Sequence, residues 1–99
     1  MTRTFSVNRA AEDEADAAAD RYEAEAPGLG FRFASEVARA IALVCDAPGA
    51  GSPFGRSGRR RIVLDSFPYD VVYRVAGETI RVLAVAHHKR RPGYFRSRA

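Results

Sequence analysis

The strings Phe67-Pro68-Tyr69-Asp70-Val71-Val72-Tyr73-Arg74-Val75 and Ile80-Arg81-Val82-Leu83-Ala84-Val85-Ala86-His87-His88-Lys89-Arg90-Arg91-Pro92-Gly93-Tyr94-Phe95 read as the two arms of a β-hairpin and the tail that leaves it. Apolar and β-branched residues dominate both arms, and Gly77-Glu78 supplies a two-residue turn between them. That turn sets Ala76 opposite Thr79, Val75 opposite Ile80 and Arg74 opposite Arg81. Strict alternation then places Val71, Tyr73, Val75, Ile80, Val82 and Ala84 on one face, toward a core. Asp70, Val72, Arg74, Arg81, Leu83 and Val85 fall on the other. A one-residue slip would drive arginines into the core, which favours this register.

Upstream of the hairpin, Ile62-Val63-Leu64 predicts a further strand, and Thr4 to Val7 a short opening one that must pair with a later strand to satisfy its backbone. Pro68 suits a strand start. Between these strands the apolar period is helical. Asn8 offers an N-cap ahead of Glu12, Asp13 and Glu14, which suit the positive end of a helix dipole. Ala11, Ala15, Ala18 and Tyr22 form a thin stripe that continues to about residue 25. Pro27-Gly28 breaks this helix and Leu29-Gly30 completes the turn. A second helix follows from about Phe31 to Asp46, with Phe33, Val37, Ile41 and Val44 as its stripe and Ala34, Ala38 and Ala40 filling in. The pair makes an αα-hairpin. Residues 47–55, rich in Gly and Pro, read as the one long, mobile loop. The expected architecture is α+β: an N-terminal strand and a helical hairpin packed on one face of a small antiparallel sheet.

A chain of 99 residues supports one domain with one modest core, spanning residues 1–99. With 46% hydrophobic and 28% charged residues it belongs to the globular class, not the disordered one. No apolar run reaches the roughly 20 residues of a membrane span, and no signal-peptide core follows Met1, so the expected compartment is the cytoplasm, with no membrane partner. Cys45 has no second cysteine for a disulfide or metal site and falls on an apolar helix side, as an inert buried thiol would. The net charge of +4 is unevenly spread: acidic residues crowd positions 12–25, basic ones positions 56–61 and 89–98. One acidic and one strongly basic surface suit a polyanionic partner.

Chemistry concentrates in the hairpin and its tail. Arg74 and Arg81, opposed across strands, repel unless an anion lies between them or Asp70 or a chain terminus neutralises them. His87 and His88 end the last strand, where adjacent side chains point to opposite faces. His87 shares parity with Arg81, and a histidine there could act as a general acid or base. Lys89, Arg90, Arg91, Arg96 and Arg98, interleaved with Tyr94 and Phe95 and supplemented by Arg59 and Arg61, can neutralise phosphates while a ring stacks on a base. Alternatively, Tyr94 and Phe95 fold back over the sheet. No P-loop, Rossmann fingerprint or nucleophile elbow occurs, and two histidines without further ligands make a poor zinc site; neither a metal nor a cofactor is expected.

The strings YEAEAPGLGFRF (residues 22–33), FPYDVVYRV and IRVLAVAHHKRRPGYF, in this element order, resemble the RelE/ParE family of toxins from type II toxin–antitoxin systems. The resemblance implies a small α+β toxin fold, a cognate antitoxin that wraps and neutralises it with a helix and an extended segment, and a toxin–antitoxin hetero-oligomer. It leans toward the ParE-like, plasmid-stabilisation side, whose members inhibit DNA gyrase. RelE-like members instead cleave ribosome-bound mRNA without a metal. By position, Arg61, Arg74, Arg81, His87, His88 and Tyr94 could stand in for a ribonuclease set, although Lys89 is the only lysine. A non-toxic basic nucleic-acid-binding adaptor is the third reading.

Overall fold

The computed structural model describes residues 3–55 and 58–99; of the basic cluster at 56–61, Arg56 lies outside the described residues. The chain order is β1 (Thr4–Val7), α1 (Arg9–Glu25), α2 (Leu29–Asp46), β2 (Ser52–Pro53), β3 (Arg60–Val63), β4 (Tyr69–Ala76) and β5 (Thr79–His87). The strands form one sheet in the order β1-β5-β4-β3-β2. This is the expected α+β layout, with one refinement: β1 runs parallel to β5, so the sheet is mixed. The helical hairpin carries the chain from one sheet edge to the other, which leaves β1 beside the last strand and running in its direction.

Helix α1 starts where the N-cap chemistry predicts, with the Asn8 side-chain oxygen accepting the Ala10 N–H at 2.8 Å. Helix α2 begins two residues earlier than its apolar stripe suggests. Ala26, Pro27 and Gly28, the last at φ +85°, complete the turn, and Leu29 is already helical. The early start is possible because Glu23 of α1 supplies the missing cap. Its two carboxylate oxygens accept the N–H groups of Gly28 (2.9 Å) and Gly30 (3.0 Å). Gly30 also lets the helices touch: a Cβ there would lie 2.4 Å from the Ala19 carbonyl oxygen.

Both helices pack on one sheet face. Ala11, Ala18, Phe33, Val37, Ala40, Ile41, Val44 and Cys45 meet Leu64, Phe67, Tyr69, Val71, Tyr73, Ile80, Val82 and Val85 in the main core. Cys45 is buried, and burial followed by the nearby Asp46 pushes its thiol pKa up, as an inert thiol requires. Ala34 and Ala38, expected as filling, instead line an open groove between the helices. The long loop is more ordered than its composition suggests. Ser52 and Pro53 pair with Arg61 and Arg60, and the buried Tyr73 hydroxyl accepts Gly51 N–H (2.9 Å) and donates to Pro48 O (2.7 Å).

The hairpin register holds as read from Ala76–Thr79 to Arg74–Arg81. Beyond it, β5 carries one extra residue: Tyr73 faces Val82, Val72 faces Ala84, and Leu83 is left over as a β-bulge. The bulge inverts the facing of everything after it. Val85 joins the helix-side core, while Ala84 and Ala86 turn to the outer face. This corrects the strict alternation, which placed Ala84 and Val85 the other way round. Val75, expected inward, lies near the hairpin tip and is 42% exposed.

Candidate functional site

Strand β1 covers β5 only from Thr79 to Val82, so the outer edge of β5 past that point has unpaired backbone groups. Side chains complete it. The Val85 N–H donates to Glu14 Oε1 (3.1 Å) and Arg98 Nη1 donates to the Leu83 carbonyl (3.2 Å). Glu14 and Arg98 also hold each other in a forked ion pair, at 2.8 Å and 3.2 Å, with both side chains less than one-fifth exposed. Tyr94 donates its hydroxyl proton to the same carboxylate at 2.5 Å. Burial, and then this bond and charge, push the Tyr94 phenol well above its usual pKa of 10. One glutamate of α1 thus latches the tail.

Between latch and strand, the tail crosses the outer sheet face. Phe95 is buried against Val72, Ala84 and Ala86, with Phe54 and Tyr94 packed beside it. Guanidinium groups lie over these rings: Arg61 over Phe54 at 4.8 Å, Arg59 over Phe95 at 6.0 Å and Arg90 over Tyr94 at 3.8 Å. Arg59 additionally donates to the Arg96 carbonyl (2.8 Å). Lys89, Arg90, Arg91 and Arg96 stay exposed. The outer face is therefore an aromatic layer overlaid with cations.

The two histidines separate. His88 Nε2 lies 2.8 Å from Asp70 Oδ1, and the other Asp70 oxygen is 3.5 Å from Arg61 Nη1. Asp70 thus serves His88 and Arg61, not Arg74 and Arg81. Because of the bulge, His87 turns to the helix side and packs edge-on against Tyr69, with centroids 4.9 Å apart. It does not share the face of Arg81, as its parity suggested. Arg74 and Arg81 are opposed as predicted, but Arg81 donates to the Ala99 backbone oxygen (3.0 Å) and Ser6 Oγ (3.1 Å). Arg74 lies four residue steps along β4 from Asp70, about 13 Å. Of the six residues suggested as a ribonuclease set, Arg61, His87, His88 and Tyr94 border one small hollow, whereas Arg74 and Arg81 lie outside it. Among the described residues, no three His, Cys, Asp or Glu side chains are grouped so as to hold a metal ion.

The family model of the ParE toxin of type II toxin–antitoxin systems, parDE, matches residues 5–92. The chain belongs to the ParE toxin family. Its fold is that of a chain in the chromosomal ParDE toxin–antitoxin system from P. aeruginosa: TM-score 0.77, 22% identity, covering 87% of this chain and 96% of that one. It is also similar to a double arginine-to-alanine mutant of the E. coli toxin RelE in the free state, at TM-score 0.60 and 16% identity, covering 90% and 86% of the two chains. No curated protein matches the sequence. No helix among the described residues is long and apolar enough to cross a membrane.

In this ParE chain the cations predicted to bind a target divide into two groups. Lys89, Arg90, Arg91 and Arg96 face solvent, whereas Arg98 is structural and Arg59 and Arg61 brace aromatic rings. Sequence reasoning missed Glu14, which nothing distinguishes from its acidic neighbours. It also missed Asp70 as the partner of His88. Strict alternation could not find that pair, since it sets Asp70 opposite Val85 and His88 on the other face; only the bulge brings Ala86 opposite Asp70 and His88 within diagonal reach.

Proposed function

We propose that this ParE-family toxin acts by binding, with DNA gyrase as its target, and that a cognate antitoxin neutralises it. The observation that carries this reading is the state of the outer face. Metal-independent cleavage needs a base for the 2′-hydroxyl, a proton for the leaving oxygen and charge on the phosphorane in one place. Here the Tyr94 phenol is committed to Glu14, Arg81 is engaged at the opposite strand end, and the His87 ring packs on Tyr69 with its Nδ1 taken by the Lys89 N–H. What remains is a fixed aromatic platform with exposed cations, which suits recognition of an anionic surface.

The test is supercoiling by purified gyrase with increasing toxin. Neutralising Arg90, Arg91 and Arg96 to Gln should reduce inhibition stepwise, with His88→Ala close to the parent. The ribonuclease reading keeps one specific support: His88 oriented by Asp70, with Arg61, Arg91 and Tyr94 lining the same small hollow. Cuts at defined codons of ribosome-bound message, abolished by His88→Ala, would replace the gyrase reading. For the antitoxin, the groove lined by Phe5, Ala15, Ala19, Ala34, Val37 and Ala38, about 380 Å³, offers apolar anchor points next to the β1 edge.

A further inference from the structure

A second basic surface lies on the helix side of the sheet, where α1 passes the end of β5. A cleft of about 420 Å³ opens there, bordered by Glu14, Arg21, Tyr69, His87 and Arg90. Its one carboxylate is already engaged, since Glu14 accepts from Arg98, Tyr94 and the Val85 N–H. Among the described residues, neither Arg21 nor Arg90 has a carboxylate partner. Arg21 donates to the Tyr69 hydroxyl, and Arg90 lies on the Tyr94 ring. Tyr69 is 4% exposed; its oxygen accepts from Arg21, and its own proton has no acceptor among the described residues. His87 Nδ1 accepts the Lys89 N–H at 3.0 Å, so the neutral ring carries its proton on Nε2. Burial first, and then the charges of Lys89, Arg21 and His88, hold the His87 pKa below its usual 6.5.

We propose that this cleft binds a phosphate group, through the Tyr69 hydroxyl, the Arg21 guanidinium and His87 Nε2–H, with Arg90 supplying further charge. Four donor groups reach it from four separate elements, α1, β4, β5 and the tail, and two of them are guanidinium groups. A tetrahedral anion matches them. The phosphate is a nucleotide's terminal monoester or a diester of a nucleic-acid backbone. The site stands whether or not gyrase is the target.

The experiment is an NMR titration of the isotopically labelled full chain with inorganic phosphate. It is followed by a dinucleotide carrying a 5′-phosphate and the same dinucleotide without it. Saturable shifts at the His87 and Tyr69 rings and the Arg21 side chain are expected. Arg21→Gln and Arg90→Gln should each weaken binding about tenfold, the effect of one charge-assisted hydrogen bond. Arg9→Gln, the same charge change at an exposed residue remote from the cleft, should leave it unchanged, and amide dispersion in the same spectra reports folding. Tighter binding of the 5′-phosphorylated dinucleotide identifies a terminal monoester, and equal binding a diester. Shifts that never saturate, or equal affinity in the parent, Arg21→Gln and Arg90→Gln, would overturn the proposal.

Discussion

Glu14 joins three parts of the molecule through one carboxylate: helix α1, the open edge of β5 and the tail. Removing it leaves the Val85 N–H without its acceptor and the Arg98 guanidinium without its counter-ion in a poorly solvated place. Glu14→Ala should therefore cost about 2 kcal/mol, lowering Tm by on the order of 10 °C for a chain of this size. Hydrogen exchange should accelerate in the tail and at Val85 while the amides of α2 stay protected. Glu14→Gln keeps an acceptor for Val85 and loses the ion pair, so it should fall between parent and Ala. His87 offers a separate test through pH. Its pKa is lowered in the folded chain, by burial first and then by Lys89, Arg21 and His88. The unfolded chain thus takes up this proton first as pH falls below about 6.5. The stability His87 contributes is complete above that pH and declines below it. Melts at pH 8 and pH 5.5 should show the loss, and His87→Asn should shrink it. Glu36 also titrates low, because its bonds from Ser66 and the charge of Arg39 outweigh its burial. Its window opens only below about 4.5, so the two effects separate.

Among the elements, the helical hairpin and β5 each turn on a single residue. Gly30 faces opposing effects on substitution. Alanine gains up to about 1 kcal/mol of helix propensity, but its Cβ would lie 2.4 Å from the Ala19 carbonyl oxygen, a backbone atom that cannot rotate away. The clash wins. Gly30→Ala should destabilise by about 1–3 kcal/mol, read by urea unfolding, and should shift the α1 amides around Ala19. The bulge at Leu83 is the second pivot. It could not be read from alternation, because a period of two extrapolates without error until a residue is inserted. What selects the insertion is packing on both faces: Val85 fills the helix-side core, while small Ala84 and Ala86 leave room for Phe95. Sequence reading placed the hairpin turn and its first three pairs correctly, since a two-residue loop fixes neighbours by short-range geometry. It missed β2, whose pairing with β3 is set by Tyr73 anchoring the loop at Pro48 and Gly51.

At the scale of the whole molecule, the exposed cations of the tail and the apolar groove between the helices are made of different residues, so association with an antitoxin should have distinct electrostatic and apolar parts. Raising salt should slow association several-fold, whereas dissociation, set by apolar anchors in the groove beside Phe5, should change little. A dissociation rate that follows salt as steeply as association would remove the groove from the account. What the amino-acid sequence determined by itself was local: the Asn8 cap, the stripes of α1 and α2, the Gly77-Glu78 turn, the burial of Cys45 and the family strings. Each depends on residues a few positions apart, whose spacing alone dictates which face they share. The tertiary structure decided the parallel placement of β1, the inversion of β5 after Leu83, the parting of His87 from His88, and the latch. Glu14 meets Tyr94 and Arg98 across 80 and 84 residues. No short-range preference encodes such a contact; it arises because β1 ends early and leaves an edge of β5 whose polar groups must be satisfied.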